Sequence, residues 1–579
     1  FSPTCSFLSP HPLPRLPAVV HKMIFPLFLV GVVAGASTPR VKPYYHLSPD
    51  YGGLNDPNGL FYFKGVYHIF HQWHDPPSIP IDWFHQTSLD LVHWTRRGYI
   101  GVNTTSGGAV MDDDGVPTLI LSFGQEVRTA VPTNLSDPFL LEWRLEKRDL
   151  MHGNVLPPNV PGYWDVSGFM APDGTYRLIS GSCERAGGNG SYCDGGSTPG
   201  NPQVMVSAAA KFADDFRFAN IPWKASNATY GPRVECPQMF QRGLVPPNDR
   251  ATVGLLMSMP EWYQNILFLG EYQYPNISGD FRLKARYPHG KVLDYGDVYA
   301  GQTLLDDSPS EGGPRRIFWG WVVGDKNCGV LCANRTSAGS LTLPRVISLL
   351  RATTEEGAEF RPSTAKPPRE SAWQHHQESA DYIIATDVAP EIEKLRMLPA
   401  AVDQQGLVLK SSPLLHWASL PPHVAGDSVE ILLELNGPGG VSPALSVGVR
   451  ASPDRSEQTV IRYSRIGGLS ICTTNVMDPT PDRLPRQPSC SVAPPITQHP
   501  EGREAVINRM RIFVDASVIE VHLRASTRET LSLTQRVFPT RDDALGIFLS
   551  NEGAEGLKVA RYSIWGMNSI YDDEDESSA

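Results

Sequence analysis

The amino-acid sequence predicts an all-β protein in two parts, a propeller-like series of small antiparallel sheets followed by a β-sandwich. Three observations carry this. At 579 residues the chain is too long for one compact core and implies at least two domains. The 51 glycines and 52 prolines cut its apolar residues into many short runs, which suits strands and turns better than long helices. From 351 to about 395 the composition turns polar and Pro-rich, through Arg361-Pro362, Lys366-Pro367-Pro368-Arg369 and Gln374-His375-His376-Gln377, as expected of a linker. The paired histidines there read as solvated linker residues, not as metal ligands.

In chain order, residues 1–36 read as a leader. Met23 is followed by an apolar run and an Ala34-Gly35-Ala36 box, the pattern of a signal peptide, with residues 1–22 as an over-extended start. The run is shorter than the roughly 20 residues a spanning helix needs. From Tyr44 to about Leu350, short β-rich runs recur at Leu60 to Gln72, Thr118 to Gly124, Tyr176 to Gly181, Thr252 to Met257, Ile266 to Tyr272 and Ile317 to Val323. Sheet units without a strict sequence repeat suit a propeller. Beyond the linker, alternating runs between Val429 and Leu549 predict a sandwich over 396–570. Met510 to His522 reads as a hairpin turning at Asp515 to Ser517, which gives Asp515 and Glu520 turn and edge-strand roles. Residues 571–579 form an acidic tail expected to be frayed and solvated.

A formal net charge of −11 argues against nucleic-acid or anionic-membrane partners, which need clustered Lys and Arg; a neutral partner fits better. Six of the eight cysteines fall into near pairs, Cys183 with Cys193, Cys328 with Cys332 and Cys472 with Cys490, plausible disulfides in an oxidising compartment. Asn-x-Ser/Thr acceptors stand at Asn103, Asn134, Asn189, Asn227, Asn276 and Asn334. With the leader, these features predict a secreted or vacuolar glycoprotein.

Three carboxylates stand in turn-rich, aromatic settings. Asp56 lies in Asn55-Asp56-Pro57-Asn58-Gly59, where Pro57 fixes φ and Gly59 permits φ > 0, so a tight bend before an aromatic strand is expected. Glu235 sits between apolar neighbours in Arg233-Val234-Glu235-Cys236-Pro237, where burial would favour a proton donor. Asp165 is flanked by aromatics in Tyr163-Trp164-Asp165-Val166. Each alone reads as an ordinary turn carboxylate. Together they suggest sugar chemistry, since aromatic faces stack on sugar rings and paired carboxylates cleave glycosidic bonds.

The order of motifs resembles glycoside hydrolase family 32, the invertase, inulinase and fructosyltransferase group. His46-Leu47-Ser48-Pro49 leading to Asn55-Asp56-Pro57-Asn58-Gly59 is similar to the nucleophile box, and Phe70-His71-Gln72-Trp73 to the segment after it. Trp83-Phe84-His85, Thr105-Ser106-Gly107-Gly108, Glu235-Cys236-Pro237, Asp294-Tyr295-Gly296, Trp319-Gly320-Trp321 and Leu343-Pro344-Arg345 continue the likeness. The resemblance implies a five-bladed propeller with a sandwich behind it, acting on sucrose or fructans. Asp56 would be the nucleophile, Glu235 the general acid and then base, and Asp165 the transition-state stabiliser, with nucleophile and acid about 5–5.5 Å apart as in retaining enzymes. Asn55, Gln72, Trp83 and Ser106 would line the fructose subsite. Cys236 would tune the acid beside it. No metal or organic cofactor is implied.

The chain departs from the family pattern in two places. Trp164-Asp165-Val166 stands where Arg-Asp-Pro is usual, which removes a charged multi-donor clamp and would either weaken sugar binding or shift it toward stacking on Trp164. Leu54 stands where Trp-Met-Asn is usual, so one wall is expected to be less aromatic. Two other readings stay open: a fructosyltransferase using a sugar as acceptor, and a carbohydrate-binding homologue without activity.

Overall fold

The computed structural model describes residues 40–49, 51–74, 81–171, 173–184, 200–244, 252–261, 263–271, 290–308, 313–323, 337–351, 382–411, 414–435, 445–464, 466–474, 489–496, 506–553 and 556–571. The leader, His375-His376 and the acidic residues after Tyr571 lie outside them.

The described chain is almost entirely strand; its helical pieces are Asn227–Tyr230 and a 3-10 turn at Pro390–Leu395. Among the described residues, five sheets precede the sandwich. They open with the strands Gly52–Phe63, Gly107–Met111, Tyr163–Met170, Glu235–Phe240 and Val298–Asp306, and within each sheet the chain then steps antiparallel from neighbour to neighbour. Each opening strand touches the opening strand of the next sheet, and the fifth touches the first. Ser337–Ala338 also pairs in parallel with Gly52–Gly53, tying the far end of this region to its beginning.

Four of the five opening strands slip register against their second strand. The slips fall between Leu54 and Pro57, between Trp164 and Ser167, between Glu235 and Gln238, and between Tyr299 and Gln302. An extra residue in one strand bends it and re-aims its side chains, and such irregularities collect beside active sites. Asp165, Cys236 and Ala300 accordingly hold φ of 50°, 47° and 49°, a left-handed conformation that non-glycine residues rarely adopt.

The second region packs two six-stranded antiparallel sheets face to face. Val429, Ile431 and Leu433 from one and Val447, Val449 and Ile461 from the other meet in one apolar core. A buried charged network joins this sandwich to the first region. His46 Nδ1 lies 2.8 Å from Asp515 Oδ2 and its Nε2 3.1 Å from Glu520 Oε1. Arg345 donates to Glu520 Oε2 (2.8 Å) and to Asp294 Oδ2 (2.7 Å). Backbones also approach closely here: a Cβ on Gly296 would stand 1.7 Å from the Thr534 carbonyl oxygen, so the glycine of Asp294-Tyr295-Gly296 is sterically required.

Several expectations are corrected. The Asp56 box is no tight turn but lies inside a twelve-residue strand, its turn-forming residues serving the register slip. Leu60 to Gln72 is two strands joined at Lys64-Gly65. Tyr382–Val388, placed in the linker, pairs with Arg345–Arg351 in the fifth sheet. The turn after Asp515 is as expected, but Glu520 is not on an edge: Val518–Ala525 lies between two strands, and its fully buried carboxylate serves the interdomain network. Tyr571, assigned to the frayed tail, is buried and hydrogen-bonded.

Cys472 and Cys490 are directly opposed on paired strands and form a disulfide. Cys183 is also disulfide-bonded, while Cys193, Cys328 and Cys332 lie outside the described residues. Asn103 and Asn134 are exposed, and Asn227 opens the short helix; Asn189, Asn276 and Asn334 lie outside the described residues.

Candidate active site

The irregular positions of the opening strands bring three sequence-distant carboxylates together. Asp56 is held from the second strand and the second sheet. Gln72 Nε2 donates to Asp56 Oδ2 (3.1 Å) and to Ser106 Oγ (3.0 Å), and Ser106 Oγ donates to Asp56 Oδ2 (2.8 Å). The Cys236 thiol lies between two acids, 3.7 Å from Asp56 Oδ2 and 3.8 Å from Asp165 Oδ2, and its backbone N–H donates to Asp165 Oδ2 (3.2 Å). These contacts to Asp56 all fall on one oxygen, which orients the carboxylate.

Glu235 has different partners. Arg233 Nε pairs with its Oε1 at 2.9 Å, and Tyr299 Oη donates to its Oε2 at 2.5 Å. The acid is thus held by a cation and a phenol, whereas Asp56 is held by neutral donors. Burial first, and then the charge of Glu235, raise the Tyr299 phenol, which keeps it a donor.

Crowding of the acids shows in their protonation. Asp56 is raised to about 7, mainly by burial and next by the charge of Asp165, with the Ser106 hydrogen bond opposing. Asp165 is raised to about 6 by burial and then by Glu235, opposed by the Cys236 backbone N–H. Burial and both aspartates push the Cys236 thiol up, so it stays a neutral donor and is no thiolate nucleophile. Asp165→Asn removes a charge that raises Asp56. Asp56 should then ionise at lower pH, and an NMR titration of the folded protein should show its carboxyl shifted down.

The remaining sequence candidates take unequal places. Asn55, in the same register slip as Asp56, is half-buried. Trp83 is fully buried, so it does not line a subsite by ring contact. It works from behind, its Nε1–H donating to the Thr105 carbonyl (2.5 Å) next to Ser106. Trp164 uses its Nε1–H on the Val234 carbonyl (2.7 Å), strapping the Asp165 strand to the residue before Glu235; its half-buried ring alone is left for stacking. Leu54 is buried in core and forms no wall. A Cβ on Gly53 would lie 2.2 Å from His74 Cε1, so the imidazole packs on that backbone near Asp56. Arg233, Tyr299 and His74 are neighbours of the site to which the sequence motifs assign no role. Arg233 stands two residues before the acid, on the same face of an extended segment, and that spacing was the available signal.

Three carboxylates converging from irregular strands of an all-β, two-part chain are the arrangement of a glycosidase. Comparison with known proteins sharpens this. The model of the glycosyl hydrolases family 32 N-terminal domain matches residues 46–130 and 208–359, and that of the family 32 C-terminal domain matches 391–566. The chain belongs to glycosyl hydrolase family 32. Asp165 falls in the unmatched stretch between the two N-terminal segments, where the local pattern departs from the family's. Relatives include an acid beta-fructofuranosidase of Vicia faba, 23% identical over 91% of this chain and 81% of that protein. A fructan 6-exohydrolase of Beta vulgaris is 25% identical over 90% of this chain and 86% of its own length. The crystal structure of fructan 1-exohydrolase IIa from Cichorium intybus shares the fold, with a TM-score of 0.65 at 20% identity, covering 92% of this chain and 99% of that one.

Proposed function

We propose that this glycosidase is a retaining β-fructofuranosidase that releases terminal fructosyl units from sucrose and related fructans. The observation that carries the reading is the convergence of the three acids, with Asp56 oriented through one oxygen by Gln72 and Ser106 and the Cys236 thiol lying between it and Asp165, next to Glu235. Ionised Asp56 attacks the anomeric carbon of the fructosyl unit while Glu235 gives its proton to the glycosidic oxygen, so the bond to the leaving sugar breaks and a fructosyl ester forms. Glu235 then takes a proton from water, whose oxygen displaces Asp56 from the same carbon. Two displacements restore the starting configuration. Asp165 accepts hydrogen bonds from fructosyl hydroxyls, and Gln72 and Ser106 keep the nucleophile aimed.

In this reading the five sheets are blades of a closed propeller, supported by the cyclic contacts of their opening strands and by the Ser337–Ala338 pairing. Export to an oxidising compartment is supported by the Cys472–Cys490 disulfide.

Product analysis on sucrose tests the function. Equal glucose and fructose, with the first fructose released as the β-anomer, supports retaining hydrolysis. Glucose in excess with new oligosaccharides would make the protein a transferase. If no β-fructoside yields reducing sugar, the reading fails and a binding homologue remains.

A further inference from the structure

We infer that Tyr571, the last described residue, is a positioning residue for the nucleophile, acting through a buried chain of hydrogen bonds that runs by way of Gln86, His71 and Gln72 to Asp56. This rests on Asp56 having the role proposed above.

The path begins where the chain returns from the sandwich to the first sheet. Tyr571 Oη lies 3.0 Å from Gln86 Oε1 and 2.8 Å from the Ser48 carbonyl oxygen, and it accepts from the Ser48 N–H (3.0 Å). Gln86 Nε2 is 3.0 Å from His71 Nε2, and His71 Nδ1 is 3.0 Å from the Gln72 carbonyl oxygen. Gln72 Nε2 then reaches Asp56 Oδ2 at 3.1 Å. His71, Gln72 and Gln86 are all at most 5% exposed, so water does not compete for these bonds.

The chemistry of the groups fixes the direction of the bonds from Gln86 to Asp56. A carbonyl oxygen only accepts, so His71 Nδ1 must carry the proton that goes to the Gln72 carbonyl. His71 Nε2 in the neutral ring then only accepts, and the Gln86 amide must turn its NH2 toward it. That turns Gln86 Oε1 toward Tyr571, whose single hydroxyl proton is shared between Gln86 Oε1 and the Ser48 carbonyl oxygen. A flipped Gln86 would force two acceptors together at the Gln72 carbonyl. Burial keeps His71 neutral, lowering it to about 4, as this pattern requires. Tyr571 thereby braces the Gln86 amide in the orientation that His71 requires, at the far end of the path that leads to Gln72, whose side chain reaches Asp56. The phenol ring is held separately, under the Arg96 guanidinium at 3.3 Å from the ring centroid, so ring and hydroxyl can be tested apart. Tyr571 stands beyond the end of the family model's match at 566.

The test is Tyr571→Phe, assayed on sucrose well below its melting temperature, alone and combined with His71→Phe. Expected are a roughly 3- to 10-fold fall in kcat with KM changed less than about twofold, and no further fall when Tyr571→Phe is added to His71→Phe, since the path is already cut. Wild-type kcat in Tyr571→Phe, or effects that simply multiply in the double variant, would overturn the inference and leave Tyr571 as packing. Truncation after Ile570 is a second arm, expected to lose at least as much kcat as Tyr571→Phe; normal kcat in the truncated chain also overturns it. A wild-type protein that cleaves no fructoside would instead sink the assignment of Asp56 and take this inference with it.

Discussion

Asp56→Asn is expected to lower kcat on sucrose by about 10⁴-fold or more, while raising the melting temperature at pH 7. Both effects have one origin. A carboxylate placed to attack carbon must be ionised, yet burial and the neighbouring acids make ionisation costly and lift Asp56 from 3.8 to about 7. Between those values the folded state holds a proton that the unfolded state has released, so this group's unfavourable contribution grows as pH rises from about 4 and is complete above about 7. The amide removes that cost. Thermal melts should therefore show a gain of roughly 1–3 °C at pH 7 and none at pH 4. Glu235→Gln separates the two acids. It should cost about 10²–10⁴-fold on sucrose, whose leaving group needs a proton, and far less on an activated aryl fructoside, whose leaving group does not. A similar loss on both substrates would mean that Glu235 is not the proton donor. Undiminished sucrose cleavage by Asp56→Asn would remove Asp56 from the chemistry.

Glu520→Gln is expected to be the most damaging single change to stability away from the site, by about 3–5 kcal/mol. The carboxylate is fully buried and meets Arg345, His46 and His522 (3.0 Å) together. Its loss leaves the Arg345 guanidinium charged, out of water and short of a partner. The network also predicts an alkaline weakness. Burial alone would lower His46, but hydrogen bonds to Asp515 and Glu520 outweigh it and carry the ring up to about 9. A raised histidine stabilises fully below its unfolded value of about 6.5 and loses that contribution as pH rises through about 9. The wild-type melting temperature should therefore fall between pH 7 and 9.5, and His46→Gln, unable to take up the proton, should show a shallower fall. Equal pH dependence in the two proteins would show that His46 carries no charge in the folded state.

The all-β class, the two-part division and the three acids were legible in the sequence because each is a local property. Strand runs broken by Gly and Pro record backbone preferences, and Asn55-Asp56-Pro57-Asn58-Gly59 keeps its acid near a glycine that tolerates positive φ. The same local reading took the Asp56 box for a turn, because turn-forming residues look alike whether they end a strand or slip its register. Tertiary structure alone decided the rest. Trp83 reads as a sugar-facing aromatic until its full burial shows it supporting Ser106 from behind. Glu520 and Tyr571 read as surface positions until the sandwich folds against the first region and removes them from water. Burial, and the choice of partner across hundreds of residues, arise only when distant segments pack together, and that packing sets the charge on His46 and the aim of Asp56.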